Sequence, residues 1–199
     1  PGTPLTRMAQ SGAVLPLEDV LERDMYVLGK SMLEAAGFEH YEISNFARPG
    51  RRSQHNQSYW NGTPYLGLGP SAHSFYDSNR CWNTADLTSW AANLSANQSP
   101  VHETETIARA AAMIETVLLG LRRREGIDLE AWRQRFGFDL MEHLSTRLKS
   151  LEIASNGLPF APGSASKYLT LYKNHLVLTL HGLLMYDTVC QEFASVLPG

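Results

Sequence analysis

The sequence has little of what marks several large classes of protein. It holds 2 cysteines in 199 residues, too few for a disulfide framework. No apolar run approaches the roughly 18–20 residues that a membrane span needs, so we expect no integral membrane segment. Its 17 Lys and Arg stand against 20 Asp and Glu, whereas a nucleic-acid-binding face requires an excess of basic residues. We therefore expect no nucleic-acid partner.

Metal-binding and targeting signals are also scarce. Neither Cys81 nor Cys190 has a second Cys or a His at metal-ligand spacing, and the 7 His are scattered. We therefore expect no metal site made from this chain's residues alone. No basic and apolar leader opens the chain, which favours a cytoplasmic location. The chain begins at Pro1 rather than Met, so we expect a fragment or a processed chain.

The first quarter of the chain has the pattern of a helix followed by a strand. Apolar residues at spacings of three and four predict a helix over residues 17–36. The stripe consists of Leu17, Leu21, Met25, Leu28 and Met32. Gly37 is suited to end this helix, because a left-handed φ costs glycine nothing. Residues 38–46 then read as a short strand with Tyr41 and Ile43 on one face, and helix, glycine turn and strand make half of a βαβ unit.

Residues 47–84 are predicted to be irregular. They are rich in Gly, Pro, Ser and Asn but carry several aromatic residues, and long loops of this kind are often functional. The segment Gly67-Leu68-Gly69 lacks the rest of a dinucleotide-binding fingerprint. It therefore indicates a close approach of the backbone to a neighbouring strand or to a ligand.

From residue 85 onward the pattern is mainly helical. Leu87, Trp90, Ala91 and Leu94 mark a short amphipathic helix. Thr104 is the predicted N-cap of a helix over residues 105–124, and the inner stripe is Ile107, Ala111, Ile114, Leu118 and Leu121. Asp128 and Asp139 are predicted to cap two further helices, with Leu129, Trp132 and Phe136 inward in the first and Leu140, Leu144, Leu148 and Leu151 inward in the second.

The C-terminal third has the pattern of a β wing. Asn156-Gly157 marks a turn, and Lys173-Asn174 joins two β-rich runs as a hairpin. A last helix over residues 183–196 closes the chain. Helices followed by a two-stranded wing predict a winged-helix-like, α+β C-terminal domain. Its candidate recognition helix over 140–151 carries few cations, which is unfavourable for contact with phosphates.

The segment from Gln54 to Trp60 is the most unusual in chemistry. It combines an imidazole, an amide and two large aromatic rings, namely His55, Asn56, Tyr59 and Trp60. A haem or porphyrin suits such groups, because iron takes a neutral imidazole and the macrocycle packs on aromatic faces. In the alternative, the aromatic rings pin a loop whose backbone is satisfied by His55 and Asn56. Both interpretations stay open on residue types alone.

The basic run Arg122-Arg123-Arg124 is predicted to end a helix. Cations there complement the helix dipole, so we interpret the run as a solvated helix end. An anion-binding site is the alternative.

Four collinear strings resemble one family. They cover residues 1–5, 41–50, 55–60 and 65–74, including His55-Asn56-x-x-Tyr59-Trp60 and Gly67-Leu68-Gly69-Pro70-Ser71-Ala72-His73-Ser74. They are similar to the HemW/HemN-like radical SAM proteins, a family of haem chaperones and oxygen-independent coproporphyrinogen III oxidases. The resemblance extends over the whole chain and is strongest over residues 1–76.

The resemblance implies a domain organisation. Family members hold a [4Fe–4S] cluster through a Cys-x3-Cys-x2-Cys loop on a partial (β/α) barrel, and the cluster cleaves S-adenosylmethionine. This chain has no such loop. We expect residues 1–47 to be the last helix and strand of the barrel, residues 48–84 to be the loop segment over its mouth, and residues 85–199 to be the helical C-terminal domain with a β wing.

The resemblance also implies site residues. His55, Asn56, Tyr59 and Trp60 match the family's haem-associated motif, with His55 as a possible haem iron ligand. Gly69, Ser71 and Ala72 match a loop near the S-adenosylmethionine pocket, and Ser71 stands where the family usually has Gly.

The expected function follows from these implications. The chain is expected to be a fragment of a radical SAM haem chaperone that handles haem in the cytosol, inactive alone because it lacks the cluster cysteines. The alternatives are a coproporphyrinogen III oxidase and, from another class, a winged-helix binding or interaction module. The expected partners are haem or porphyrin, the missing N-terminal half of the barrel, and further copies of this chain as a homo-oligomer.

Overall fold

The computed structural model describes residues 2–147, 153–155 and 168–198. The helices in these ranges are α1 (Pro4–Gln10), α2 (Asp19–Ala35), α3 (Gln54–Trp60), α4 (Leu87–Ser95), α5 (Arg109–Arg122), α6 (Leu129–Phe136), α7 (Leu140–Arg147), α8 (Leu180–Leu184) and α9 (Tyr186–Val196). The strands are β1 (Glu39–His40), β2 (Phe46–Ala47), β3 (His73–Tyr76), β4 (Asn79–Asn83), β5 (Val101–Thr106), β6 (Ile127–Asp128), β7 (Ile153–Ser155), β8 (Leu169–Tyr172) and β9 (His175–Leu178). None of the helices in these ranges is long and apolar enough to cross a bilayer.

The N-terminal segment forms a helix and a hairpin. Helix α2 confirms the predicted helix to within two residues at either end, and Gly37 follows it with φ +82°. The single predicted strand over 38–46 is wrong, because β1 pairs antiparallel with β2. The chain reverses between them, where the Glu42 carboxylate accepts the Ser44 backbone N–H at 2.8 Å and the Asn45 side-chain amide. These bonds stabilise a turn between the two strands, which the alternation of apolar residues does not predict.

The middle of the chain is more regular than its composition predicts. Ser53 caps α3 by accepting the Asn56 N–H, and strands β3, β4 and β5 form an antiparallel sheet in that order. Asp77 and Ser78 both have positive φ in the β3–β4 turn, which suits a tight hairpin. The prediction of an irregular segment over 47–84 is therefore wrong in these parts. Helix α4 confirms the predicted amphipathic helix, with Asp86 as its cap.

The prediction for α5 is wrong at its start. Thr104 lies in β5 opposite Cys81 rather than at a helix cap, because residues 101–106 complete the sheet. The helix begins at Arg109 and buries Met113, Val117 and Leu121. The inner stripe is thus rotated from the predicted one, and of the predicted members only Leu121 is fully buried.

The C-terminal helices α6 and α7 begin as the sequence predicts. The Asp128 carboxylate accepts the N–H groups of Glu130 and Ala131, and Asp139 accepts the N–H of Glu142 at 3.0 Å. Gly137 ends α6 with φ +73°. Trp132, Phe136, Leu140 and Leu144 are buried, whereas Leu129 is partly exposed. Leu148, Leu151 and the Asn156-Gly157 turn lie outside the described residues.

The wing is larger than a two-stranded hairpin. The β8–β9 hairpin is confirmed, with Lys173 and Asn174 at positive φ, but β6 and β7 extend it to a four-stranded sheet in the order β6-β9-β8-β7. The predicted last helix is divided at Met185 (φ −113°) into α8 and α9. Thr179 caps α8. In α9, the Tyr186 hydroxyl donates to the Leu118 carbonyl of α5 at 2.7 Å, so the two helices are held by different contacts.

The hydrophobic core lies in the C-terminal part of the chain. Helices α5, α6, α7 and α9 pack on the β8–β9 hairpin around 14 buried apolar residues. These are Met113, Val117, Leu121, Ile127, Trp132, Phe136, Leu140, Leu144, Leu169, Leu176, Leu178, Leu183, Val189 and Phe193.

The basic run at the end of α5 joins the two parts of the chain. Arg122 Nε lies 2.7 Å from the Oε2 atom of Glu42, whose side chain is completely buried. The backbone is bonded on both sides of this pair, from the Ile43 N–H to the Arg122 carbonyl and from the Arg124 N–H to the Tyr41 carbonyl. The interpretation of this run as a solvated helix end is therefore wrong for Arg122, because the N-terminal hairpin covers it.

Candidate functional site

Helix α3 presents two of the predicted haem-associated residues to solvent. His55 and Tyr59 are four residues apart and so lie on one face of the helix. Their ring centroids are 4.8 Å apart with an interplanar angle of 86°. The His55 side chain is exposed, so its ring nitrogens are open to a ligand.

The other two motif residues face the protein. Asn56 and Trp60 are half-buried. The Trp60 ring lies 5.9 Å from Tyr41, and the Arg122 guanidinium lies 5.8 Å from the Trp60 centroid. The motif thus divides into an outward pair, His55 and Tyr59, and an inward pair that anchors α3 to the hairpin and to α5.

A row of aromatic rings continues from α3 onto the sheet. The Tyr59 and Tyr65 centroids are 4.5 Å apart, and Tyr65 and Phe75 follow at 6.3 Å. Tyr65 is held there by two backbone hydrogen bonds with Phe75, at 2.8 and 2.9 Å. Burial raises the pKa of the Tyr65 hydroxyl. The row provides an apolar surface that begins beside the exposed imidazole of His55.

This aromatic row leads into a cavity of about 450 Å³. The cavity lies between the C-terminal end of α3, the β3–β4 hairpin, α5 and α6, and its volume is within the range of roughly 300–1,000 Å³ that is usual for small-molecule sites. Its aromatic walls are Tyr59, Trp60, Tyr65, Phe75 and Trp132, and its charged residues are Arg80, Glu115, Arg123, Asp128 and Arg135.

The charges of the cavity are unequally paired. Arg80 Nη2 donates to both carboxylate oxygens of Glu115 at 2.9 Å. Arg123 instead donates to neutral groups, the Asn61 side-chain oxygen and the Gly126 carbonyl. Burial lowers the pKa of Arg123, since the charged form loses hydration. A desolvated guanidinium therefore forms part of the wall.

The second predicted group lies in a different place. The loop with Gly69, Ser71 and Ala72 is bonded to the end of β4, with the Ser71 N–H donating to the Thr84 carbonyl at 3.1 Å and the Asn83 amide donating to the Gly69 carbonyl at 2.8 Å. Ser71 has φ +58°, a conformation that favours glycine. Ser71 borders a separate cavity of about 360 Å³ together with His73, Trp82 and His102.

The close approach predicted at Gly67 is to a neighbouring strand. A Cβ atom at Gly67 would lie 2.2 Å from the His73 carbonyl oxygen, and the Gly67 N–H donates to Ser74 Oγ at 2.9 Å. Of the two alternatives that the sequence left open, the structural one is confirmed.

The two predicted groups therefore lie apart. Tyr59 and Trp60 line the first cavity and Ser71 lines the second, whereas His55, Asn56, Gly69 and Ala72 line neither. The first cavity also contains residues that the sequence does not mark as site residues. Arg80, Arg135, Glu115 and Trp132 line the first cavity, and no motif marks them. Arg123 belongs to a run for which an anion site was only the alternative. Among the described residues, no cluster of three or more His, Cys, Asp or Glu could hold a metal ion.

Comparison with known proteins identifies the class of domain first. The HemN C-terminal domain matches residues 107–185. The chain also superimposes on coproporphyrinogen III oxidase (HemN) from Escherichia coli, a radical SAM enzyme, with a TM-score of 0.58 at 17% identity over 84% of this chain and 39% of that one. At that identity the likeness supports the fold, with its mixed helices and sheets.

Sequence relatives are more specific. The chain is 32% identical to the heme chaperone HemW of Mycobacterium tuberculosis over 188 residues, which is 94% of this chain and 43% of that protein. It is 32% identical to HemW of Bacillus subtilis over 85% of this chain and 44% of that protein. It is also 32% identical to the mitochondrial radical S-adenosyl methionine domain-containing protein 1 of Bos taurus, over 67% of this chain and 32% of that protein.

The chain fits the C-terminal portion of a HemW/HemN-like radical SAM protein. It spans less than half the length of each of these three sequence relatives.

Proposed function

We propose that this chain supplies the haem-binding part of a radical SAM haem chaperone that acts in the cytosol. His55 would be the ligand to the haem iron, because its imidazole is exposed at the start of the aromatic row. Tyr59 would pack against the macrocycle. Asn56 and Trp60 would keep α3 in place from its inward face.

One observation carries this proposal. The exposed imidazole of His55 stands against Tyr59, and Tyr59 is itself part of the wall of the 450 Å³ cavity. A single helix thus offers an iron ligand and the edge of an apolar pocket, which are the two things that haem requires of a protein.

Relatives favour the chaperone over the oxidase. The proteins at 32% identity include those named heme chaperone HemW, whereas the likeness to the oxidase has 17% identity. The winged-helix interaction module finds less support, because the candidate recognition helix over 140–151 has only Arg147 and Lys149 as cations, against Glu142, which is few for contact with phosphates.

The proposal extends to the domains. Residues 1–47 would be the last helix of the partial barrel with the antiparallel β1–β2 hairpin that follows it, residues 48–84 the segment over its mouth, and residues 85–199 the winged-helix-like C-terminal domain. The parent protein would use a [4Fe–4S] cluster and S-adenosylmethionine, as the radical SAM relatives imply. Gly69, Ser71 and Ala72 would line the S-adenosylmethionine pocket from the β4 side.

The experiment is a titration of the chain with haem, followed by the Soret band, beside a titration with duplex DNA at low salt. A saturable Soret shift without a DNA complex is the expected result. A DNA complex without a Soret shift would favour the interaction module, and the absence of both would contradict the haem assignment.

A further inference from the structure

The cavity beside α3 carries a cationic feature that the iron-ligand proposal does not use. Arg123 and Arg135 both belong to its wall. Among the described residues, no carboxylate oxygen lies within the 4.0 Å of an ion pair to either of them. Arg135 donates to Thr116 Oγ1 at 3.2 Å, and Arg123 donates to Asn61 and Gly126, so the hydrogen bonds of both guanidiniums go to neutral groups. Glu125 is the nearby carboxylate that favours the charged form of Arg123.

The carboxylates of the wall are already engaged elsewhere. Glu115 accepts two contacts from Arg80 at 2.9 Å. Asp128 accepts the N–H groups at the start of α6 at 2.9 and 3.1 Å. The wall therefore has three arginines against two carboxylates, Glu115 and Asp128. The excess is one positive charge, and among the described residues Arg123 and Arg135 are the arginines of the wall with no carboxylate oxygen within 4.0 Å.

Two donors of the wall lack a partner. Nε of Arg123 and Nε1 of Trp132 are buried, and no described group accepts a hydrogen bond from either. Trp132 is 1% exposed. A buried donor left unpaired costs free energy, and native proteins leave few of them. Both side chains belong to the wall of the cavity.

We propose that this cavity binds the carboxylate side arms of a porphyrin, with Arg123 as the principal contact and Arg135 as the second. The inference rests on the proposed function only in the choice of porphyrin as ligand. A guanidinium binds a carboxylate through paired hydrogen bonds, and a porphyrin with propionate groups presents such carboxylates on an aromatic body. The walls match both parts, because the arginines stand among Tyr59, Trp60, Tyr65 and Phe75.

The test uses metal-free protoporphyrin IX and its dimethyl ester, titrated into the chain and followed by porphyrin fluorescence. Neither probe has an iron, so His55 ligation does not contribute. We expect the diacid to bind at least about 10-fold more tightly than the diester, because a charged hydrogen bond is lost on esterification. Arg123→Met should weaken the diacid about 10- to 100-fold and remove the preference. Arg135→Met should do the same to a smaller degree.

Two control variants separate binding from folding. Arg133→Met removes an arginine of the same helix as Arg135, but one that already pairs with Glu130 and Asp139, and it should leave both affinities unchanged. Asn61→Ala removes the side-chain partner of Arg123 while keeping the guanidinium, and it should retain the preference for the diacid.

The outcomes distinguish this inference from the haem assignment. Equal affinity for diacid and diester, a preference that survives both arginine variants, or no protoporphyrin binding would each overturn the inference. An arginine-dependent preference for the diacid supports it even if haem gives no Soret shift that depends on His55, and in that case only the iron-ligand assignment fails.

Discussion

Two apolar helical stripes in this chain have opposite surroundings. On α5, Met113 and Val117 are 2% and 1% exposed, whereas on α2 Met25 and Leu28 are 56% and 61% exposed. Both helices have the 3.6-residue periodicity of an amphipathic element. The difference teaches that periodicity specifies which face of a helix is apolar but not what that face contacts. The stripe of α2 is a surface that suits association, since contiguous exposed apolar patches mark interaction sites.

The largest expected effect compares the same residue type in the two stripes. Met113→Ala should lower the free energy of unfolding by about 2–5 kcal/mol, because it leaves a cavity in the core. Met32→Ala is the matched change at a side chain that is 64% exposed, and in the monomer, reached by dilution, it should stay within about 0.5 kcal/mol. Urea unfolding of both variants measures this. Equal losses in the monomer would contradict the exposure of the α2 stripe in the single chain.

The ion pair between Arg122, at the end of α5, and Glu42, in the N-terminal hairpin, gives the next largest effect. Arg122→Met would leave the buried Glu42 carboxylate without its cation, and removing one partner of a buried pair is strongly destabilising. Since the Arg122 side chain is 32% exposed, we expect a loss of about 2–3 kcal/mol, below the full buried-pair value. Urea unfolding followed by circular dichroism measures it. Arg133→Met, which removes an exposed pair, serves as the control, and a similar loss there would contradict the account.

Association through α2 is the third prediction. Light scattering of the unsubstituted 199-residue chain, called the parent chain below, should give a mass of at least twice 22.2 kDa, because the exposed stripe can be buried against another copy. The double variant Met25→Glu, Leu28→Glu places charges in the stripe and should shift the population toward monomer. A monomeric parent chain would refute this role for α2.

The smallest effect concerns pH and the N-terminal hairpin. Burial lowers the pKa of His40, whose ring stacks on Phe46 at 4.5 Å and contacts the Tyr26 hydroxyl at 3.2 Å. Backbone bonding to Ile43 opposes this shift, and Lys30 and Arg124 reinforce it. The unfolded chain then binds more protons than the folded one, so stability contributed by neutral His40 is present above the ordinary histidine pKa and is lost as pH falls below it.

Unfolding measured between pH 7.5 and 5 tests this sign. The parent chain should lose more stability on acidification than His40→Phe, in which an aromatic ring remains but cannot titrate. If the free energy of unfolding falls equally with pH in the two proteins, the assignment to His40 is contradicted.

The sequence predicts local features of this fold well where one residue decides them. Asp128 as a cap, Gly137 as a helix end and Lys173-Asn174 as a turn are each confirmed, because each depends on contacts with near neighbours in the chain. The predicted start of α5 and the predicted strand over 38–46 are wrong because the structure there depends on residues that are distant in the sequence. Thr104 is in a strand because β4 lies beside it, and pairing between distant segments cannot be read from local propensity.

The candidate site divides in the same way. The i, i+4 spacing places His55 beside Tyr59 once α3 is a helix, so those partners could be found from the sequence. Arg123 and Arg135 line the same cavity only because the end of α5 and helix α6 both border it, with the β3–β4 hairpin on its other side. The spacing of these residues in the sequence does not predict that they line one cavity.

The most direct test of the central claim is a haem titration of the parent chain, His55→Ala and His102→Ala. His55 is exposed and outside the core, so its loss should leave stability within about 0.5 kcal/mol, which circular dichroism during urea unfolding checks. His102 is exposed on β5 and serves as the matched imidazole control. The account predicts a Soret shift in the parent chain and in His102→Ala and its loss in His55→Ala. A Soret shift that persists unchanged in folded His55→Ala would contradict it.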